Sequence, residues 1–471
     1  MAIQNFPAAL QPIIQQGFLE HRFEQALRST LGYRAIADKE TFPNHDGEIV
    51  TKTRAGLLPT ATTPINPAYV TAPAATASTL DSGLTPVTWG VEQYTLGINK
   101  YALTMDLNVM TQKLGIENRF VQNAYALGEN AKRTRDELAR NALFGGVALG
   151  SLQTGGYLGG NTRVRTAAAA GGTSVAVDDV RGFMATAVNG VQTVVSPQSP
   201  FTVTISGNPY VVSSVSVDAT NVSTTLPQQI GLAGLSGTLN LTSGIVTTDG
   251  AANAPVIAAT APVVLRPNGR TSAAALQPTD LLTMGLLLDA VSSLRLNAVP
   301  TVDGLYNVYV DARSARQLFA DPDFKQLFQG STSENALIAA GMIENAFLGL
   351  RFVTSTQAPV QPVTTAQGFA AAGTIRRPII CGAGALIEGN FDMTTVGPDT
   401  GPADGVGQIT VVEGVRMVTR EPLDRLQELV TQSWEWIGGY CAPTDLTTTP
   451  STVPTATNSA YKRAVVIEHF G

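Results

Sequence analysis

The spacing of apolar positions changes several times along this chain, and each change marks a different element. In residues 5 to 31, Ile13, Ile14, Phe18, Phe23, Leu27 and Leu31 fall on or near one stripe, which predicts an amphipathic helix with a face to dock. From Phe42 to Thr104 the pattern is extended. Thr51-Lys52-Thr53-Arg54 alternates and Thr85 to Leu103 reads as a return strand, which predicts one long hairpin-like loop with a low-complexity tip near Pro59 to Gly83. Helical spacing returns from Asp106 to Phe144, carried by Leu107, Met110, Leu114, Val121, Ala124, Ala131, Leu138 and Ala142. Unbroken, such a helix would be ~50–60 Å long. Gly115 or Gly128 could bend it, and Gly145-Gly146 stop it. Its other face carries Glu117, Arg119, Glu129, Lys132, Arg133, Arg135, Asp136, Glu137 and Arg140, which either face solvent or pair with an adjacent subunit.

The period then switches to two. Between Thr166 and Pro262 the only basic residue is Arg181, and short alternating runs (Ser174 to Val177, Phe201 to Ile205, Tyr210 to Val217, Thr238 to Leu241, Val263 to Leu265) are separated by Gly, Pro and Asn. This predicts a small all-β module, sandwich or barrel, inserted into another domain, with linkers at Gly155 to Thr162 and Asn268 to Gln277. A helix follows through Leu281, Met284, Leu288, Val291 and Leu294, with Thr279 as its N-cap. Tyr306 to Val310 reads as a buried strand, and Asp311 caps a short helix that Asp321-Pro322 ends. Strands are expected near Leu350 to Thr354, Pro378 to Ile387 and Val411 to Thr419. A final strand pair, Leu426 to Tyr440 with Tyr461 to His469, flanks an exposed Thr/Pro-rich loop from Thr447 to Ala460.

Composition sharpens this picture. A chain of 471 residues is too long for one ordinary core, so two to four domains are expected. Charged residues make up 14%, well below the usual ~25%. Between Arg54 and Glu92 the only charge is Asp81, and Pro59, Pro64, Pro67, Pro73 and Pro86 punctuate the run. Such a segment cannot bury enough apolar surface to order itself, so a neighbouring copy is the natural support. A net charge of −6 argues against tight, sequence-specific binding of nucleic acid, though not against enclosing it. Two cysteines are no disulfide framework and favour a reducing compartment. Without a signal-peptide pattern or a run of ~18 apolar residues, a soluble, cytoplasmically made protein with no membrane partner is expected.

Candidate chemistry is sparse, and the expectation is no catalytic, cofactor-binding or metal residues and no enzyme. His21, His45 and His469 stand at no metal-ligand spacing. Cys381 lies in the apolar run Ile379-Ile380-Cys381-Gly382 and reads as a small buried hydrophobe, while Cys441 has no cation nearby in sequence to lower its pKa. Gly382-Ala383-Gly384-Ala385-Leu386 resembles part of a dinucleotide-binding turn but lacks the third glycine at the right offset, so a tight turn is expected. Asp178-Asp179, Asp218 and Asp249 could offer oxygens to a cation, and turn roles explain them equally well.

The order of elements resembles the Hong Kong 97-type fold of tailed-phage major capsid proteins. The local matches are Tyr306-Asn307-Val308-Tyr309-Val310-Asp311-Ala312-Arg313 with Leu318 and Asp321-Pro322, then Gly349-Leu350-Arg351-Phe352-Val353-Thr354-Ser355, then Ile379 to Gly384. Thr419-Arg420-Glu421-Pro422-Leu423-Asp424-Arg425, Gly438-Gly439-Tyr440 and Tyr461 to Ile467 complete the order; Arg351 departs from the family's frequent Pro. The resemblance implies an α+β capsid fold with an N-terminal arm (1–45), an extended loop (46–104), a spine helix in the peripheral domain (105–150), an inserted all-β domain (151–275) as in some short-tailed phages, an axial domain (276–425) and a return into the peripheral domain (426–471). It also implies self-assembly into hexamers and pentamers of an icosahedral virion shell around double-stranded DNA, which the wall touches weakly and non-specifically. Separate scaffolding and portal proteins and a decoration protein would be the partners. Lys52 and Lys100 lie in the loop, with no isopeptide partner apparent. The competing reading is a β-domain-bearing adhesin or carbohydrate-binding surface protein.

Overall fold

A single helix, Asn118–Gly145, ties the architecture together. Its 28 residues make it about 42 Å long. Ala124, Leu127, Ala131, Ala139, Ala142 and Leu143 form its buried stripe. The helix runs through Gly128 without interruption and ends at Gly145, where Gly146 takes the left-handed conformation (φ 67°) that a helix terminus favours. The computed structural model describes residues 23, 32–42, 49–55, 91–108, 118–146, 148–149, 152–188, 191–227, 231–324, 349–391, 408–420, 426, 428–443 and 461–471. The helix expected over 5–31 (Phe23 apart), the loop tip 59–83 and the loop 447–460 lie outside these residues, as do His21, His45 and Gly115.

The long helix begins later than its apolar spacing suggests. Asn99–Asn108 is instead a strand that pairs antiparallel with Leu429–Cys441, from Asn99↔Gly438 to Asn108↔Leu429. An unbroken ten-residue ladder outweighs the helical spacing that begins at Leu107. Leu429–Cys441 is central to a sheet ordered Ala37–Phe42, Leu386–Phe391, Leu429–Cys441, Val415–Arg420, Gln408–Val412, with Asn99–Asn108 added alongside. Its alternate residues Val430, Gln432, Trp434 and Trp436 are buried, and the long helix packs on this sheet. The hairpin Ile49–Ala55/Val91–Gly97 is a separate two-stranded sheet that packs against it, with Tyr94 and Leu96 on Ile387 and Cys441. Gly439 is required there, since a Cβ would stand 1.9 Å from the Gly97 carbonyl oxygen.

A second sheet runs Val264–Leu265, Ala464–Ile467, Ile379–Cys381, Tyr306–Val310, Leu350–Thr354. Its three central strands are buried on both faces, and the alternation sorts their residues. Tyr309, Val353, Ile379, Cys381 and Val466 share a core with the long helix. Val308, Val310, Phe352, Ile380, Val465 and Ile467 instead share one with Met284–Leu296 and Ala312–Ala320.

Three expectations are corrected here. Leu429–Cys441 and Ala464–Ile467 do not pair with each other: the first is half-buried and alternating, whereas the second is uniformly apolar and fits a doubly covered sheet. Val264–Leu265 pairs parallel to Val466 and Ile467, outside the β-rich segment. The helix expected to start after Thr279 starts at Met284, whose amide donates to Asp321 (2.7 Å), while Asp280 is buried and accepts from Gln277, Asn268 and Arg270. Asp311 caps Ala312–Ala320 as expected, accepting from the Arg313 and Ser314 amides.

The β-rich segment forms a six-stranded antiparallel sheet ordered Asn161–Arg163, Pro255–Ala258, Phe201–Ile205, Asn208–Val217, Gly237–Leu241, Ser174–Val177. Its two outer strands meet through a Val164↔Val177 bridge, with Arg165 N donating to Ala176 O at 2.8 Å, so the sheet curls closed. Closure removes the exposed edges that would invite pairing with other chains. Among the described residues, the interior, built on Val175, Val203, Val212, Leu239 and Val256, draws on residues between Val164 and Ala261.

Candidate functional site

Arg135 lies on the apolar stripe of the long helix, four residues beyond Ala131, and is 1% exposed. A guanidinium there needs a counter-charge, and Glu388, fully buried on Leu386–Phe391, supplies it: Arg135 Nη2 lies 2.5 Å from Glu388 Oε1. Arg34, from the segment preceding Ala37–Phe42, donates through Nε to the other oxygen at 2.9 Å. Arg135 Nη1 also donates to the Glu413 carbonyl (3.2 Å), and the guanidinium stands 5.1 Å over the Trp436 ring. Burial pushes the Glu388 carboxyl up, but the two guanidiniums outweigh it and hold it below the usual carboxylate range. The centre therefore joins the N-terminal segment, the long helix and the first sheet by charge.

The helix face expected to meet solvent or a neighbour is thus partly consumed within the chain. Besides Arg135, Arg140 is buried and donates to the Gln357 carbonyl and to Glu137, while Asp136 accepts from the Arg34 amide. Only the packed fold shows which charges turn inward. Arg133 is exposed.

A second centre brings Asp311, Ser314 and His469 together, residues that a nucleophilic hydrolase would need. Ser314 Oγ lies against Asp311 and 2.8 Å from His469 Nε2. The wiring differs from a catalytic triad, in which the carboxylate orients the imidazole. Here His469 Nδ1 sits 3.1 Å from the Phe470 carbonyl, Asp311 pairs with Arg376, and Ser314 and His469 are fully buried. The set locks a helix N-terminus to the C-terminal strand.

Burial pushes the His469 imidazole down to about 4 from 6.5. The unfolded chain then binds the extra proton between those values, so stability is full above about 6.5 and declines as pH falls toward 4. We expect the urea midpoint to fall over that window in the native chain. In His469→Asn the slope between pH 6.5 and 4 should largely vanish, a change on the order of 3 kcal/mol. An unchanged slope would remove His469 as its source.

The four aspartates considered as cation ligands are separately engaged. Asp178 pairs with Arg163 (3.3 Å), Asp179 with Arg181 (2.7 Å) and Asp218 with Arg165 (2.7 Å), while Asp249 accepts from Tyr210 (2.6 Å) and Asn208. Among the described residues no group of three metal-ligating side chains occurs. Cys381 and Cys441 are both buried, and burial pushes the Cys381 thiol well up. Residues 382–385 form a turn between strands with Gly384 at φ 70°, followed by a strand and not a helix. Lys100 pairs with Glu435 at 2.7 Å.

No family model and no curated protein sequence matches this chain. Among solved structures, the capsid of Ralstonia phage GP4 is similar at 11% identity, covering 95% of this chain and 90% of that one with a TM-score of 0.48. The cyanophage Pam1 capsid is similar at 9% identity over 96% and 92% (TM-score 0.45). The head of Helicobacter pylori bacteriophage KHP40 is similar at 8% over 94% and 92% (TM-score 0.42).

Proposed function

We propose that this chain is the structural shell subunit of a phage head, assembling into hexamers and pentamers around double-stranded DNA, and that it performs no catalysis. One observation carries the reading. The hairpin Ile49–Ala55/Val91–Gly97, rooted against Gly439, brackets residues 56–90, whose only charge is Asp81. A segment of that composition gains order by lying on another surface, and a second copy is the surface always present in a shell. In this reading Asn118–Gly145 is the spine, residues 46–104 cross a neighbour, and the second sheet with its helices points to the capsomer centre. The closed six-stranded sheet is an inserted domain facing outward. A net charge of −6 keeps the inner wall from gripping packaged DNA.

Replacing residues 56–90 by a short Asn-Gly turn tests this, because Ala55 and Val91 already face each other in the ladder. The shortened chain should keep its secondary structure and melting cooperativity yet form no shells or sheets in negative-stain microscopy, while the full chain forms them. Shells from the shortened chain, or only discrete monomers from concentrated full chain, would overturn the proposal.

A further inference from the structure

Where the closed six-stranded sheet meets the strand Val360–Val363 and the residues that flank strands of the second sheet, a partly enclosed cavity of about 40 Å³ is lined by Arg163, Arg266, Arg377, Glu468, Gln361 and Ser272, among others. That volume admits a few waters or one compact ion. The charges around it do not balance. Arg163 has its own counter-ion in Asp178. Arg266 and Arg377 share one carboxylate, Glu468, with Arg266 Nε 2.7 Å from Oε2 and Arg377 Nε 2.7 Å from Oε1. All three side chains are nearly inaccessible (8%, 2% and 4% exposed for Arg266, Arg377 and Glu468), so among the described residues one positive charge is left over where solvent screens poorly.

The leftover charge has free donors. Arg377 Nη2 donates to Gln361 Oε1 at 2.6 Å, but Nη1 is buried with no partner among the described residues. Arg266 Nη1 donates to the Thr271 carbonyl at 3.0 Å, and no hydrogen bond between described residues uses its Nη2. Burial pushes the Glu468 carboxyl up, but both guanidiniums outweigh it and hold it at about 2, so its charge is already spent on them. Water would satisfy the open N–H groups and leave the charge uncompensated. Two guanidiniums among the residues that line one small space suit an oxyanion, whose several oxygens accept charge-assisted hydrogen bonds.

We infer that this cavity binds one compact free oxyanion of the phosphate or sulfate class, held by Arg266 and Arg377, which pins the closed six-stranded sheet to the second sheet. This goes beyond the shell reading and does not depend on it. The ion reaches both parts: Asn161 and Arg163 line the cavity from the closed sheet, Gln361 and Arg377 from the other side, and Ser272 from the connecting segment.

Titration calorimetry of the full chain at fixed ionic strength should show saturable binding of inorganic phosphate, one per chain, with a matching rise in melting temperature. Phosphate also stabilises proteins by exclusion from their surfaces, so the variants carry the test. Arg377→Gln and Arg266→Gln each leave a neutral pair with Glu468 and should weaken binding at least about tenfold, the scale of one charge-assisted contact. A short oligonucleotide should neither bind there nor compete, because Arg377 is too enclosed for a phosphodiester chain. Ser272→Asp places a carboxylate at the cavity wall and should raise the phosphate-free melting temperature while abolishing the phosphate response, which keeps the test decisive if an arginine variant does not fold. Absence of saturable binding to the native chain, equal binding by the folded arginine variants, or a full phosphate response in Ser272→Asp would each overturn the inference, as would competition by the oligonucleotide.

Discussion

Glu388→Gln is expected to destabilise the folded chain by about 3–5 kcal/mol, read as a drop in urea midpoint at unchanged slope. Glutamine has nearly the same shape, so the loss isolates charge. It leaves Arg135, 1% exposed, without its ion-pair partner among the described residues, and removes the anchor that Arg34 grips at 2.9 Å. The proton linkage has a definite sign. Because the Glu388 carboxyl is held below its ordinary 4.5, its contribution is present above that pH and lost as pH falls through the lowered value. Glu388→Gln should therefore flatten the acid limb below about pH 4.5 and leave the His469 window above it unchanged. A loss below about 1 kcal/mol would mean that water or movement of Arg135 compensates the missing charge.

Local grammar made much of the second sheet legible. Tyr306–Val310, the Asp311 cap, the end at Asp321-Pro322 and Leu350–Thr354 follow from short-range rules, and the structure places each within a residue or two. The alternation of Ser174–Val177, Phe201–Ile205 and Gly237–Leu241 was equally plain, because each strand has one face toward a common interior. Pairings set by distant partners were not legible. Nothing within Asn99–Asn108 announces Leu429–Cys441, and Ala464–Ile467 is apolar at every position, so its sequence cannot say which sheet it joins. The buried charges did leave a trace. Arg135 interrupts the stripe Ala124, Leu127, Ala131, Ala139, Ala142, and Glu388 interrupts Leu386-Ile387; a charge at a core position asks for an opposite one at another. The two stand 253 positions apart, so the sequence poses that question without naming the answer.

Trp436→Ala should bring the largest loss from packing alone, about 3–5 kcal/mol by the general cost of truncating a buried tryptophan. Trp436 is fully buried on Leu429–Cys441, stacked on Tyr101 at 5.8 Å and tilted against Tyr440 at 5.6 Å, with Nε1 donating to Asn390 at 2.9 Å. Its neighbours belong to Asn99–Asn108 and Leu386–Phe391, so the cavity would open where three strands meet and they could not all close it. Trp436→Phe separates the terms: it keeps an aromatic face and loses the Asn390 bond, and should cost roughly half as much. The ring also lies under the Arg135 guanidinium, which links this prediction to Glu388. An arginine without its carboxylate leans more on the ring beneath it, so Trp436→Phe should cost more in the Glu388→Gln background than in the native one. Residues sharing a partner couple by about 0.5–3 kcal/mol in such cycles. Strict additivity would show that Arg135 is held by the carboxylate alone and that the ring beneath it only fills space.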